Sequence, residues 1–428
     1  MTVDLKQLYK LYSENYIVDT DTRKIRKGSL FFALKGDNFN GNMFAKQAIE
    51  NGAKYAIIDD PEFDVSKETI LVNNALDALQ KLASFHRNYL KVPILAITGS
   101  NGKTTTKELI NIILSQNYKT TATIGNLNNH IGVPLTLLSM TKDTEIGIVE
   151  MGANHQKEIE FLCSIAQPDY GYITNFGKAH LEGFGGVKGV IKGKSELYDY
   201  LIKHNKIIFI NANDPIQVDK TKKANTVTFG NSVLGTDISI NFVEAQPFVS
   251  CVFRNLIIQS QLIGEYNFNN ISVAITIGNY FKVQPNDIKT AIENYEPTNN
   301  RSQIIHKNTN KIILDAYNAN PSSMRAALVS FEKQPGHKIA ILGDMFELGK
   351  EAKTEHQNIA NLAIDLNIDQ IIFVGENFYE SKLNSEKSIQ YDTFEDFKDE
   401  FDISQIEQTT FLIKGSRGMA LERILDVL

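Results

Sequence analysis

The chain has 428 residues, 42% of them hydrophobic and 22% charged, with a formal net charge of −6. That length allows roughly three globular domains with real cores, and the acidic balance, without basic runs interleaved with aromatics, excludes a nucleic-acid-binding face. Only Cys163 and Cys251 are present, too few for a disulfide framework or a zinc site, so both are expected as buried thiols.

The N-terminal MTVDLKQLYKLYS alternates charged and apolar residues and contains no signal-peptide core. No apolar stretch approaches the ~20 residues that cross a bilayer, so a cytoplasmic protein without membrane insertion is expected. Residues 1–90 form the first predicted domain. They hold a helix-like start, a strand over GSLFFAL (Gly28–Leu34), the Gly/Asn-rich KGDNFNGN (Lys35–Asn42), a helical AKQAIENGA and a strand over YAIID (Tyr55–Asp59). A helix over Ala75–Leu90 then leads into Pro93, the first boundary.

The second predicted domain, residues 91–297, opens with the apolar run VPILAITG, a glycine-rich turn and TTTKELINIIL, which places Leu109, Ile112 and Ile113 at helical spacing. Strand, loop and helix in that order begin a parallel α/β unit. The runs IGIVEMG (146–152), YGYITNFG (170–177) and KIIFINAND (206–214) alternate with helical segments, which predicts a covered, largely parallel sheet. A β-rich patch (Thr226–Gly264) precedes a helix at Asn269–Phe281, and the polar YEPTNNRSQ (Tyr295–Gln303) reads as a linker. In residues 298–428, KIILDAY, KIAILGD, QIIFVGE and TFLIKGS are four strand candidates alternating with helices, a second open α/β domain.

The segment TGSNGKTTT (Thr98–Thr106) lies between the predicted strand and helix. Small residues let backbone amides close around a phosphate, and the helix N-terminus adds a favourable dipole. Lys103 brings a point charge to the β/γ oxygens and Thr104 a hydroxyl to Mg²⁺. The loop is shorter than the general phosphate loop, with two residues rather than four between Gly99 and the Gly102-Lys103 pair. Glu150 closes the strand IGIVEMG at the edge where ligands gather in open α/β sheets. On its own it reads as a solvent-facing strand end; beside the phosphate loop it is placed to hold Mg²⁺.

This shortened loop resembles the ATP-binding signature of the Mur ligases and of their relatives, the folylpolyglutamate synthetases. TIGNLNNHIGVPLTLL (Thr123–Leu138), EMGANHQKEI (Glu150–Ile159), DAYNANPSSM (Asp315–Met324), LGDMFELG (Leu342–Gly349) and KGSRGM (Lys414–Met419) resemble Mur ligase segments in order along the chain. Within the family they look most like the member that adds D-alanyl-D-alanine. DTR (Asp21–Arg23) with GSLFFALKGDNFNG resembles the family's UDP-sugar module.

The resemblance implies an α/β protein of three domains: a small UDP-sugar-binding module, a central P-loop ATPase parallel sheet and a C-terminal Rossmann-like domain. The implied activity is ATP- and Mg²⁺-dependent ligation of D-alanyl-D-alanine to a UDP-N-acetylmuramoyl-tripeptide through an acyl-phosphate, in peptidoglycan precursor synthesis, by a monomer. For ATP it implies Gly99, Ser100, Asn101, Gly102, Lys103, Thr104, Thr105, Asn267, Arg301 and Asp315; for the metals Thr104, Glu150, His180 and Lys194. Lys194, in a K-x-E segment, is expected to be carbamylated, whereas Lys192 is out of phase with that motif. Lys103, His180, Lys194 and Arg301 are the expected catalytic set. Thr22, Arg23, Lys35, Gly36, Asn126, Asn129, Asn318 and Asn320 are the expected substrate contacts. Tyr266 stands where the family usually has histidine. Unaided, Arg301 reads as a solvated linker residue and Asp315 as a strand cap. Another Mur ligase adding one amino acid, a folylpolyglutamate synthetase, and a nucleotide-binding regulator without turnover remain alternatives.

Overall fold

The computed structural model describes residues 4–428. Three parallel-rich sheets follow one another along the chain. The first has four short parallel strands in the order 18–19, 30–32, 55–58, 69–71. Helix Ala75–Leu90 follows the expected span, with Asn74 accepting the Asp77 amide as its N-cap. Helix Leu5–Tyr12 packs against it, and the Tyr12 hydroxyl donates to the Leu138 carbonyl at 2.7 Å, joining the first sheet's layer to the central one.

The central sheet has seven strands, all parallel, in the order 238–239, 225–230, 207–211, 170–173, 94–98, 146–150, 120–122. Strand Ile94–Thr98 is buried throughout, as its unbroken apolar run requires. The chain leaves it first towards 120–122 and 146–150, then returns to its other side at 170–173. The winding therefore reverses about this strand, and a crevice opens beyond its carboxyl end. A three-stranded antiparallel sheet (241–244, 250–253, 256–259) accounts for the rest of the β-rich patch.

The last sheet has six strands, in the order 303–307, 310–314, 409–414, 337–343, 370–374, 388–391. Four are those expected. The fifth, Ser388–Tyr391, is half-buried and lies parallel at one edge. The sixth, Gln303–Lys307, is antiparallel at the other edge, so the linker ends one residue earlier than its polar sequence implies. Cys163 and Cys251 are both free and buried. Among the described residues no helix is long and apolar enough to cross a membrane.

Candidate active site

Beyond Thr98 the chain turns through residues 99–102 into helix Lys103–Leu114. Gly99 has φ +140°, and a Cβ there would lie 2.0 Å from Thr174 Oγ1; at Gly102, with φ +80°, it would lie 2.7 Å from Asn270 Oδ1. Neither position has room for a side chain, and both backbones favour glycine. The loop takes its shape from the neighbouring strand end. Ser100 N–H donates to the Asn175 carbonyl and Asn101 N–H to Asn175 Oδ1, each at 3.1 Å, and the Thr174 hydroxyl donates to the Asn101 carbonyl at 2.6 Å.

Gly102 is the N-cap, and no side chain caps the helix. The first-turn amides therefore have no intrahelical acceptor and stand at the positive end of the helix dipole. They belong to residues lining a cavity of about 840 Å³. An anion such as a phosphate fits there.

Lys103 Nζ folds back to donate to the Gly99 carbonyl at 2.7 Å and the Ser100 carbonyl at 3.3 Å. Burial lowers its pKa to about 8, with Glu150 opposing and Arg301 adding to the shift. Glu150, 1% exposed, accepts the Thr104 hydroxyl at 2.9 Å on one oxygen and the Asn128 side-chain amide at 2.8 Å on the other. Hydroxyl and carboxylate side by side make a hard oxygen pair suited to Mg²⁺, with phosphate and water oxygens to complete the shell. No group of three or more His, Cys, Asp or Glu suited to a metal occurs among the described residues.

The same cavity is lined by Ser100 to Thr105, Asn126, Asn129, Glu150, His180, Asn267, Arg301, Asp315, Asn318 and Asn320. These residues come from the central and C-terminal sheets, and Gly99 lies directly behind them. His180, with φ +51°, precedes the short helix Leu181–Phe184 without capping it through its side chain, and its Nδ1 meets the carboxylate of Glu347 in the loop after strand His337–Gly343. That contact holds the Glu347 carboxyl below its usual pKa.

Lys194 lies behind the cavity wall. It is 1% exposed, donates to the Ala153 carbonyl at 2.9 Å and sits 5.0 Å from the Phe184 ring centroid. Burial, then Lys103, depresses its pKa well below the ordinary lysine value. Lys192 is exposed on the same helix.

Thr22, Arg23, Lys35 and Gly36 lie outside this cavity, in a short 3-10 turn (Thr22–Lys24) and a two-stranded ribbon (35–36 with 39–40) beside the first sheet. Arg23 is exposed and paired with Asp21 at 2.8 Å; Lys35 is paired with Asp59 at 2.9 Å. They follow the carboxyl ends of adjacent parallel strands, the usual ligand edge of an open sheet.

Some cavity groups went unassigned in the sequence. Lys414 Nζ reaches Asp315 Oδ2 at 2.6 Å and the Asn318 carbonyl at 3.2 Å. The Arg301 guanidinium stacks 3.6 Å from the Tyr317 ring centroid. Asn128 and Lys414 both lie inside the motifs quoted above, which was the available signal. Tyr317 has no such signal beyond its place in DAYNANP.

A strand, a glycine loop closed on a helix N-terminus, and a second α/β sheet facing that loop define a P-loop nucleotide-binding architecture. Known families match it in chain order. The Mur ligase family catalytic domain matches residues 14–87, the Mur ligase middle domain 97–278, and the Mur ligase glutamate ligase domain 300–417. The chain belongs to the Mur ligase family.

It is 33% identical to the UDP-N-acetylmuramoyl-tripeptide–D-alanyl-D-alanine ligase of Bacillus subtilis, over 95% of this chain and 92% of that protein. To the Escherichia coli enzyme of the same name it is 32% identical, over 96% and 93%. A structure of MurF from Acinetobacter baumannii superimposes with a TM-score of 0.86 at 32% identity, covering 96% of this chain and 92% of that one. MurF ligase from Thermotoga maritima, in complex with ADP, superimposes at 0.82 with 27% identity, covering 96% of each.

Proposed function

We propose that this chain is an ATP- and Mg²⁺-dependent ligase that joins D-alanyl-D-alanine to UDP-N-acetylmuramoyl-tripeptide in peptidoglycan precursor synthesis. The observation that carries the reading is the cavity in which the uncapped phosphate-loop helix faces Arg301, Asp315 and Lys414. The choice of substrates rests on likeness along nearly the whole chain to enzymes of that name. We assign domain boundaries at 1–90, 91–297 and 298–428, and take the protein to act as a cytoplasmic monomer. Two free buried cysteines suit a reducing compartment.

The tripeptide's terminal carboxylate oxygen attacks the γ-phosphorus of ATP, and ADP leaves with the electron pair of the broken P–O bond. The D-alanyl-D-alanine amine then attacks the acyl carbon. The C–N bond forms, the C–O bond to phosphate breaks, and the amine gives up a proton. Positioning and charge neutralisation supply most of the rate in phosphoryl transfer.

The first-turn amides of the helix and Lys103 would hold the β- and γ-phosphates. Thr104 and Glu150 would hold Mg²⁺, which supplies neutralisation of phosphate charge. Arg301 stands opposite, free to meet the γ-phosphate. Asp315, fixed by Lys414 and by the Ser302 amide at 3.1 Å, would take the ribose hydroxyls, and Asn267 the adenine side. His180 and a carbamylated Lys194 would serve a second metal. Burial of Lys194 favours the uncharged amine, the form that adds CO₂, and the resulting carbamate is an anion. Asn126, Asn129, Asn318 and Asn320 would contact the peptide end of the precursor, and Thr22, Arg23, Lys35 and Gly36 its UDP end.

The test is Mg²⁺-ATP turnover against a substrate panel. Phosphate release should require both UDP-N-acetylmuramoyl-tripeptide and D-alanyl-D-alanine. Turnover with a single amino acid, or with a folate and glutamate, would transfer the chain to one of those activities. Nucleotide binding without turnover on any of them would make it a regulator.

A further inference from the structure

The linker into the C-terminal sheet is tied to the phosphate-loop helix before it reaches Arg301. Glu108, in the second turn of helix Lys103–Leu114, accepts the Tyr295 hydroxyl. Both its carboxylate oxygens also accept the Asn299 side-chain amide, at 3.0 and 3.1 Å. Burial and the neighbouring Glu108 raise the Tyr295 pKa, which keeps the proton on the phenol and the phenol as donor.

A second tie lies just beyond Arg301. The Tyr266 hydroxyl is 2.8 Å from Ser302 Oγ, and the Ser302 amide donates to Asp315 Oδ1. Between the two ties Asn300 and Ser302 adopt φ of +56° and +51°, a left-handed conformation that non-glycine residues hold only when their surroundings require it. Arg301 rides on this kinked segment. Its guanidinium lies over Tyr317, and its Nε is buried without a hydrogen-bond partner. It lies close enough to Lys103 to disfavour that residue's charged form. Two cations lining one cavity, one of them with a buried unpaired N–H, are arranged for an anion that arrives later.

We propose that Glu108 is a positioning residue for Arg301: by gripping Tyr295 and Asn299 it makes the linker move with the phosphate-loop helix. The backbone that carries Arg301 is then held in place relative to Lys103 and Thr104, while Tyr317 holds its guanidinium from the C-terminal side. This rests on the reading of the cavity as a nucleotide site. The Glu108 side chain is 28% exposed, and apart from Tyr295 and Asn299 its charged partner is the adjacent Lys107, at a long 3.7 Å.

The test uses the full chain and a double-mutant cycle, which isolates the coupling between two positions. Glu108→Ala should lower kcat by about tenfold through misplacement of Arg301, with the KM for the UDP-precursor within about twofold. Glu108→Gln, which still accepts hydrogen bonds, should recover most of the rate. In an Arg301→Ala background, Glu108→Ala should cost nothing further. Asn299→Ala removes one tie only and serves the same cycle if Glu108→Ala folds poorly.

The chain has no tryptophan, so Tyr317→Trp places a single tryptophan, excitable at wavelengths the tyrosines do not absorb, beneath the guanidinium. Its emission with Mg²⁺-ATP should change when Glu108→Ala is added. Losses that are equal with and without Arg301, or wild-type kcat in Glu108→Ala, would overturn the proposal. If the wild type turned over no substrate, the functional reading would fail separately. The emission would then decide this proposal alone, and an unchanged spectrum would overturn it.

Discussion

The side-chain amide of Asn320 donates to Asn101 Oδ1 at 2.7 Å, a bond from the C-terminal sheet into the middle of the phosphate loop. Asn320 is also the N-cap of helix Pro321–Glu332, accepting the Ser323 amide at 2.9 Å in a capping box. Beside it, Lys178 N–H donates to Ser322 Oγ at 2.8 Å and Lys178 Nζ pairs with Glu355 at 2.5 Å. One residue therefore starts a helix and docks it on the nucleotide loop.

Asn320→Ala should cost about 1 kcal/mol of stability through the lost cap and raise the KM for ATP. Asn320→Asp keeps an acceptor for the cap but loses the donor to Asn101 and brings a negative charge to the loop. Its stability should be near normal, while the KM for ATP rises by about tenfold from charge repulsion. Denaturant unfolding and initial rates separate the two effects. Equal KM values in both variants and the wild type would remove the bridge from nucleotide binding.

Lys103→Ala should lower turnover by about a hundredfold or more, from lost charge stabilisation at the phosphates. The fold should survive, because Nζ bonds only to two loop carbonyls. A stability signature accompanies it. The folded pKa is about 8, below the unfolded value of 10.5, so the unfolded chain binds more protons between these limits. The ligand-free protein should gain stability as pH rises from about 8 towards 10.5, and lose that gain as pH falls through about 8. Lys103→Ala should flatten this part of the profile.

Lys194 and Lys192 give opposite expectations from one helix. Lys194 should carry a carbamate, seen as a mass increment or a ¹³C signal after growth with labelled bicarbonate. Lys194→Ala should be impaired and partly restored by a small added carboxylic acid. Lys192, exposed on the same helix, should be replaceable by alanine with no change in rate. A carbamate on Lys192, or full activity with neither lysine modified, would remove the second-metal role from Lys194.

Two buried histidines make the fold acid-sensitive. His86 is held between the Met140 carbonyl at 2.9 Å and the Tyr9 hydroxyl at 3.2 Å. His356 accepts the Met345 amide at 2.9 Å and faces the Ala352 carbonyl at 2.7 Å. Burial lowers both pKa values below 6.5. The unfolded chain therefore takes up these protons first, and the stability they contribute is full above pH 6.5 and lost as pH falls below it. His86→Gln should lower Tm near pH 7.5 but show a shallower fall towards pH 5.5. An unchanged slope would mean that acid sensitivity resides elsewhere.

The central sheet was legible because its buried parallel strands are continuous apolar runs, as at Ile94–Thr98, and because two glycines mark the turn after it. The edge strand Gln303–Lys307 was not, since QIIHK is polar at both ends and directly follows a polar linker. The phosphate loop, Glu150 and Asp315 could be found from local motifs. Glu108 could not, because its partners Tyr295 and Asn299 lie 187 and 191 residues away; Glu347 and Tyr317 lie inside quoted segments, but their partners His180 and Arg301 are set only by folding. The K-x-E spacing singles out Lys194 over Lys192, whereas the burial of the one and exposure of the other appear only once the helix packs.

An acyl-phosphate route to a D-alanyl-D-alanine amide is tested most directly with UDP-N-acetylmuramoyl-tripeptide labelled with ¹⁸O in its terminal carboxylate, turned over with Mg²⁺-ATP, D-alanyl-D-alanine and this protein. Each released phosphate should carry one ¹⁸O, and the UDP product should have gained the dipeptide through a new C–N bond. Unlabelled phosphate, or a labelled precursor recovered unchanged while ATP is hydrolysed, would contradict that route.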